Sequence, residues 1–262
     1  MPTPQDYLAV AFEALDAIRP ILKKNFGKPE RVERKPDGTL VTNVDSEVET
    51  MVRDIIKKHF PTHGILGEEL APENPDSEFQ WIIDPIDGTL HFIHGVPVYG
   101  AIIALYQNGT PLLGTIDVPE TGSRYHAVKG AGAFLNGTPM HIADCAETEV
   151  LDGLLGVSSR YGFVKSDTSE AYDKLCQTHT GALMVPNCYG HGLAASGAVT
   201  AMVNFHLSLW DIASTKILIE EAGGKFAVRK RGDLYDIICG KPTVVNWLLK
   251  HFEMEDTGLD AL

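Results

Sequence analysis

The sequence lacks the features of several large classes of protein. Its 262 residues carry a net charge of −13, and no stripe of lysine or arginine offsets that charge, which argues against a nucleic-acid partner. It has four cysteines and no Cys-x-x-Cys pair, so neither a zinc ribbon nor a redox motif is supported. Reduced thiols in a cytoplasmic protein are the simplest interpretation.

Targeting and membrane-spanning patterns are missing too. No basic segment followed by an apolar one stands at the N-terminus, so we expect no signal peptide. No apolar run approaches the ~18 residues that a membrane-spanning helix needs. We therefore expect no membrane partner, and one large or two small domains with enough chain to bury a substantial core.

Familiar catalytic motifs are also absent. The sequence has no Gly-x-x-x-x-Gly-Lys-Ser/Thr loop, no Gly-x-Ser-x-Gly elbow and no His-Glu-x-x-His, and no calcium-loop spacing. A haloacid-dehalogenase-type phosphatase would place its two aspartates two residues apart, whereas Asp84 and Asp87 are three apart. Residues 232–236 do mimic the later acidic motif of that family, which keeps it as a minor alternative.

The first half of the chain predicts helices followed by a sheet. Apolar residues at helical spacing predict one helix over residues 3–27 and a second over about residues 45–59. Strand-like runs follow between residues 99 and 135, and Asn-Gly pairs at 108–109 and 136–137 are typical of hairpin turns. These runs predict an antiparallel sheet.

The last third alternates between predicted strands and helices. We expect a strand over residues 151–157, a helix of small residues over 190–203 and another helix over 212–222. Residues 1–145 should form an α+β half with most of the acidic candidates, and residues 146–262 an α/β half. We expect the two halves to form one compact unit, because no flexible linker separates them.

Acidic residues recur after apolar, strand-like segments. Asp84 and Asp87 follow the run at residues 81–83, Glu68 begins an acidic pair, and Asp211 follows a tryptophan. Each of these alone is typical of a surface turn or a helix cap. Their order together favours a site of hard oxygen ligands, which Mg²⁺ prefers.

Such a site suits the hydrolysis of phosphate esters. Metal ions neutralise the phosphoryl oxygens, activate a water and stabilise the leaving alkoxide. The backbone carbonyl of Ile86, between the two aspartates, is a natural further ligand. Gly88 and Thr89 supply N–H groups where the chain turns, which favours a phosphate, and Asp211 lies at the start of a predicted helix, where the dipole stabilises an anion.

In these acidic motifs and the segments around them, the chain resembles the inositol monophosphatase superfamily. The resemblance implies a layered αβαβα fold, hydrolysis of a small phosphate monoester with two or three Mg²⁺ ions and no covalent intermediate, inhibition by Li⁺, and a homodimer. The matching segments are residues 40–45, 67–69, 81–89, 210–213 and 221–224.

The resemblance also implies a role for each matching residue. The metal ligands would be Glu68, Asp84, the Ile86 carbonyl, Asp87 and Asp211. The residues that orient and deprotonate the attacking water would be Asp45 and Thr89. The phosphate would be held by Gly88 and Thr89.

The substrate prediction depends on two asparagines. Residues 92–100 and 187–190 resemble the histidinol-phosphatase branch, with Asn187 where that branch more usually has Asp. Family enzymes that act on inositol carry a Glu seven residues before the Asp of the Trp-Asp motif, and this chain has Asn204 there. We predict L-histidinol phosphate as substrate, with Asn187 and Asn204 facing it. The alternatives are an inositol or other polyol phosphatase, and a regulatory protein with the same fold but little activity.

Overall fold

A computed structural model describes residues 2–36, 38–179 and 181–259 of the chain. No helix in these ranges is long and apolar enough to cross a membrane. The helices are α1 Pro4–Asn25, α2 Asn43–His59, α3 Thr89–Ile93, α4 Arg160–Lys165, α5 Ser169–Thr178, α6 Asn187–Ala195, α7 Leu209–Ile212, α8 Thr215–Glu221 and α9 Pro242–His251, with a 3₁₀ turn at Glu147–Glu149.

The strands form a small ribbon and two sheets. The ribbon pairs β1 Val32–Arg34 with β2 Leu40–Thr42. The N-terminal sheet contains β3 Gly64–Gly67, β4 Phe79–Asp87, β5 Gly100–Gln107, β6 Thr110–Val118, β7 Ser123–Val128, β8 Gly132–Leu135 and β9 Thr138–Pro139. The C-terminal sheet contains β10 Leu155–Val157, β11 Ala182–Met184, β12 Ala201–Leu207, β13 Lys225–Arg231 and β14 Leu234–Gly240.

The two sheets differ in topology. In the N-terminal sheet the strands follow chain order from β3 to β9, and all neighbours are antiparallel except β3 and β4. The C-terminal sheet has the order β11-β10-β12-β14-β13, in which β10 is parallel to both of its neighbours. The carboxyl ends of β10, β11 and β12 therefore meet at one edge, where ligands often bind in mixed sheets.

Helices and sheets alternate in five layers. Helices α1 and α2 pack on the N-terminal sheet, α6 and α8 lie between the two sheets, and α4 and α9 cover the outer face of the C-terminal sheet. Separate apolar cores fill the spaces between these layers. The predicted αβαβα architecture is confirmed, whereas the division into halves near residue 145 stays a prediction.

The first helix begins where its sequence predicts. Thr3 caps α1, and its backbone N–H donates to the Asp6 carboxylate at 2.6 Å, while the Asp6 N–H donates back to the Thr3 hydroxyl at 3.3 Å. This reciprocal pair satisfies two N–H groups that a helix start would leave open. Gly27, at a φ of +70°, follows the last turn.

The small-residue helix predicted over residues 190–203 is confirmed as far as Ala195 and is wrong beyond it. Helix α6 ends at Ala195, Gly197 follows with a φ of +77°, and β12 begins at Ala201. A segment that is apolar on every side fits a packed helix and a central strand alike, so the hydrophobic pattern did not separate the two. The strand forms because β12 lies between β10 and β14 and is buried along almost its whole length.

Two further boundaries differ from prediction. The strand expected over residues 151–157 begins only at Leu155, after a turn. The helix expected over residues 212–222 is divided into α7 and α8. Between them the Ser214 hydroxyl accepts the Thr115 N–H at 3.0 Å, and this contact with the N-terminal sheet replaces a continuous helix.

Candidate metal centre

A β-bulge in β4 brings Asp84 and Asp87 to the same face of the strand. In a regular strand, residues three apart point to opposite faces. Here Asp84 pairs with Ile102 and Asp87 with Gly100, so the three steps on β4 oppose two on β5. The extra residue restores a common face. The aspartates therefore lie inside a bulged strand and not in a surface turn, and Pro85 at the bulge needs no ladder N–H.

The two aspartates meet Asp211, which comes from the C-terminal part of the chain. Carboxylate oxygens of Asp84, Asp87 and Asp211 all lie within 4.8 Å of one another. Asp211 sits in the first turn of α7, where its Oδ2 accepts the Ser208 N–H at 2.7 Å. The sequence prediction that these three residues converge agrees with this arrangement.

Burial makes this cluster unfavourable without a cation. Desolvation raises the pKa of Asp84 well above its usual range, and the charges of Glu68, Asp87 and Asp211 raise it further. The pKa of Asp211 is raised for the same reasons. Hard, buried oxygen ligands with excess negative charge fit a divalent cation such as Mg²⁺.

Glu68 is held beside this cluster by a buried support. It follows β3, and the Glu49 carboxylate accepts the N–H groups of Glu69 at 2.8 Å and Leu70 at 3.2 Å. A Cβ on Gly67 would lie 2.1 Å from Glu49 Oε1. A side chain at this position would therefore displace the Glu49 carboxylate from the backbone after β3. Glu49 in turn pairs with Arg53 at 2.7 Å, and both side chains are buried.

A lysine that the sequence reasoning missed contacts the acidic pair. Lys35 Nζ lies 2.7 Å from Glu68 Oε1 and 2.6 Å from Glu69 Oε1. It follows β1 in a short connection of the ribbon. Nothing in its local sequence indicates this contact, because it joins segments more than thirty residues apart.

Asp45 and Thr89, the predicted catalytic pair, lie next to each other. The Thr89 hydroxyl is 3.0 Å from the carbonyl oxygen of Ile86 and 3.4 Å from Asp45 Oδ1. The other oxygen of Asp45 accepts the N–H and the hydroxyl of Thr42 at 2.8 and 2.6 Å, which caps α2. Burial outweighs these bonds and raises the pKa of Asp45 to about 6.

Gly88 lies at the junction between β4 and α3. Its φ is +84°, a conformation that favours glycine. The nearest atom to a Cβ built there would be His91 Nδ1 at 3.5 Å. The predicted phosphate-binding residues, Gly88 and Thr89, thus begin a helix directly beside the aspartates of β4.

The two residues predicted to face the substrate, Asn187 and Asn204, lie near the edge where β10 and β11 end. Asn204 is 1% exposed in β12, and its Nδ2 is 3.3 Å from His191 Nε2. The backbone of Asn187 begins α6, but its side chain lies outside what the structure describes. Ser158, just after β10, was missed by the sequence reasoning; its buried Oγ has no hydrogen-bond partner among the described residues.

Helix α6 also contacts the acidic cluster, and the sequence did not indicate this contact. The backbone N–H of Cys188, in the first turn, donates to Asp87 Oδ2 at 2.7 Å. The N-terminal turn of a helix favours an anion. The only local signal was Pro186, which precedes the helix start.

Comparisons with known proteins agree with this geometry. Residues 3–252 match the inositol monophosphatase family. A histidinol-phosphatase of Chlorobaculum parvum is 36% identical over 232 residues, which cover 87% of this chain and 88% of the relative. A fructose-1,6-bisphosphatase/inositol-1-monophosphatase of Aquifex aeolicus is 31% identical over 252 residues, covering 93% and 94%.

A solved structure shows the same fold. The IMPase of Thermotoga maritima superposes with a TM-score of 0.84 at 26% identity, covering 95% of this chain and 97% of the other. The family resemblance predicted from the sequence is therefore confirmed over nearly the whole chain. The chain belongs to the inositol monophosphatase family of phosphatases, which act on small phosphorylated metabolites.

Proposed function

We propose that this protein is a Mg²⁺-dependent phosphomonoesterase with L-histidinol phosphate as its preferred substrate. The observation that carries the proposal is the convergence of Asp84, Asp87 and Asp211 within 4.8 Å. Glu68 adds a fourth carboxylate, and its charge contributes to the raised pKa of both Asp84 and Asp211.

As part of the proposal, two or three Mg²⁺ ions would bind at this site. Their ligands would be Glu68, Asp84, the Ile86 carbonyl, Asp87 and Asp211. When bound, Mg²⁺ would neutralise the phosphoryl oxygens, make a water more acidic and stabilise the leaving alkoxide.

The proton of the attacking water would leave through Thr89 and Asp45. The Thr89 hydroxyl accepts that proton while its own passes to Asp45 Oδ1, 3.4 Å away. Asp45 suits this role because its pKa, raised to about 6 by burial, leaves it ionised at neutral pH and able to hold a proton briefly. Gly88 and Thr89 would bind the phosphoryl oxygens through their backbone N–H groups.

Two observations favour histidinol as the leaving group. The 36% identical relative is named a histidinol-phosphatase, and Asn204 offers a neutral amide where an inositol-binding Glu is expected from the resemblance. A polyol phosphate such as inositol 1-phosphate is the second candidate, because the Aquifex relative carries the name of an inositol-1-monophosphatase. The amide of Asn204 suits a substrate with hydroxyl or amino donors.

A panel of phosphate esters tests the proposal. The purified protein would be assayed with Mg²⁺ on histidinol phosphate, inositol 1-phosphate, fructose 1,6-bisphosphate and 3′-phosphoadenosine 5′-phosphate. We expect the highest kcat/KM on histidinol phosphate and no Mg²⁺-dependent release of phosphate by Asp84→Asn. A higher kcat/KM on inositol 1-phosphate would favour the second candidate, and no activity on any ester would favour the regulatory alternative.

The family resemblance also implies a homodimer, which we retain as part of the proposal. Sedimentation equilibrium of the purified chain would measure its mass directly. A species at the monomer mass across the concentration range would contradict it.

A further inference from the structure

Helix α6 contacts the candidate metal centre at its start, and its next turn is linked to the segment that carries Asp211. At the start of the helix, the Cys188 N–H donates to the Asp87 carboxylate. Three residues later His191, which is 0% exposed, bonds Thr215, four residues after Asp211 in the chain.

The His191 ring joins two other elements, α8 and β12. Its Nδ1 is 2.9 Å from the Thr215 hydroxyl, and its Nε2 is 3.3 Å from Asn204 Nδ2. Thr215 begins α8, one helical turn after Asp211, and Asn204 lies in β12. The ring therefore lies between the segment that carries a metal ligand and the strand that carries the substrate-side amide.

The partners of the ring fix its protonation. An amide nitrogen only donates, so Nε2 of His191 accepts from Asn204 and the ring proton is on Nδ1, which donates to Thr215. A neutral ring with one donor and one acceptor holds each neighbour in a single orientation.

We propose that His191 is a positioning residue that fixes the spacing between Asp211 and Asn204, and so couples metal binding to substrate selection. Its two bonds join side chains from two different elements, α8 and β12, which are both buried. The substrate part of this inference rests on the proposed function, whereas the metal part is measured without substrate.

The two ring nitrogens can be replaced separately. In His191→Asn the side-chain amide can still reach Thr215, and in His191→Gln the longer side chain can still accept from Asn204. His191→Leu removes both bonds at similar volume. Cys239→Ala is a matched control, because Cys239 is equally buried in the same apolar core and contacts neither aspartate.

Mg²⁺ affinity measured by calorimetry without substrate, and KM measured on histidinol phosphate and inositol 1-phosphate, test the inference. We expect His191→Leu to weaken Mg²⁺ binding by about tenfold, as changes behind metal ligands do, and to alter the ratio of the two KM values. Compared with His191→Leu, His191→Asn should bring the Mg²⁺ affinity closer to the wild-type value than the KM ratio. His191→Gln should do the opposite and bring the KM ratio closer to the wild-type value than the Mg²⁺ affinity.

Other outcomes overturn the inference. If the three His191 variants lose only thermal stability, as Cys239→Ala does, with wild-type Mg²⁺ affinity and KM ratio, His191 is only structural. Should His191→Leu fail to fold, Thr215→Val removes the same Nδ1 bond, and wild-type Mg²⁺ affinity in that variant would be equally decisive. A wild-type protein that binds Mg²⁺ but hydrolyses no ester refutes the proposed function and leaves the Mg²⁺ comparison valid.

Discussion

Lys35 and Glu68 form an ion pair of 2.7 Å beside the acidic cluster. The same ammonium group contacts Glu69 at 2.6 Å. Burial lowers the pKa of Lys35, but its hydrogen bonds to the two glutamates outweigh that effect and raise the pKa above its ordinary value. Lys35 thus supplies one positive charge at a carboxylate that we assign to metal binding, and it competes with a divalent cation for Glu68.

Replacing this lysine should strengthen metal binding. Lys35→Met removes the competing charge while keeping the aliphatic stem, so we expect the Mg²⁺ dissociation constant to fall by about two- to fivefold, the range of a partly exposed ion pair. Calorimetric titration measures this directly. Lys58→Met is the control, because Lys58 is exposed and pairs with Glu13 instead. Weaker Mg²⁺ binding in Lys35→Met would show that the lysine orients Glu68 rather than competes for it.

Asp84→Asn should stabilise the metal-free protein while abolishing activity. Since the folded-state pKa of Asp84 is raised above 3.8, its contribution to stability is complete below that value and is lost as the pH rises through the folded-state pKa. The neutral amide avoids this loss. We expect a higher melting temperature than wild type in chelator at neutral pH, no further increase with Mg²⁺, and activity lower by at least about a hundredfold.

Two measurements on Asp84→Asn separate these effects. Calorimetric melting with and without Mg²⁺ gives the stability, and phosphate release gives the activity. A metal-free Asp84→Asn protein that melts below wild type would mean that the Asp84 carboxylate is not a source of electrostatic strain. Met202→Leu, a buried change in β12, serves as the control for core perturbation.

The dependence of activity on pH should report Asp45. The carboxyl accepts a proton only when ionised, and burial raises its pKa to about 6, so kcat/KM should increase as the pH rises toward and past that value. Bound cations would lower the pKa, which places the acid limb at or below about 6. Asp45→Asn should remove both the limb and most of the activity.

A second capping carboxylate provides the control for Asp45. Asp6 caps α1 in the same way that Asp45 caps α2, but Asp6 is exposed and lies far from the cluster in sequence. Asp6→Asn should lower stability slightly and leave the pH profile unchanged. An acid limb that persists in Asp45→Asn would assign it to another group and contradict the proton path through Thr89.

The sequence predicted which aspartates lie close together better than it predicted the geometry that brings them together. Asp84, Asp87 and Asp211 were identifiable because acidic residues after apolar runs are a local pattern. The bulge between Asp84 and Asp87 was not, because a β-bulge is defined by the pairing of β4 with β5, and pairing is a long-range property. A turn was the expected local interpretation of Asp-Pro-Ile-Asp-Gly.

The support of the site was least predictable. Lys35 and Cys188 contact acidic residues that are distant in the chain, and no short motif encodes such contacts. The helix predicted over residues 190–203 hid the contact between His191 and Asn204, because it placed Asn204 just beyond a helix instead of inside a central strand. Periodicity fails there because a segment buried on every face shows no amphipathic pattern.

The buried pair Glu49–Arg53 offers a test of how the Glu68 segment is held. Glu49→Gln keeps the shape of the side chain, but its amide has a single acceptor oxygen. Because the N–H groups of Glu69 and Leu70 donate to different oxygens of Glu49, one of these contacts is lost, and the buried Arg53 is left without its charge partner. Breaking such a pair costs about 3–5 kcal/mol when one charge is left alone. We expect the free energy of unfolding to fall by an amount near the lower end of this range. Arg53 would keep one charge partner, because Glu73 also lies 3.1 Å from its guanidinium group.

Urea unfolding of the metal-free protein measures the free energy of unfolding. A calorimetric Mg²⁺ titration measures the affinity of the site for the ion. Because Glu49 fixes the backbone directly after Glu68, we expect Glu49→Gln to weaken Mg²⁺ binding as well as to destabilise the fold. Glu33→Gln, which disrupts an exposed pair with Arg31, should change neither quantity, since exposed pairs contribute little. Wild-type Mg²⁺ affinity in a destabilised Glu49→Gln protein would show that the support of Glu68 does not depend on this charge.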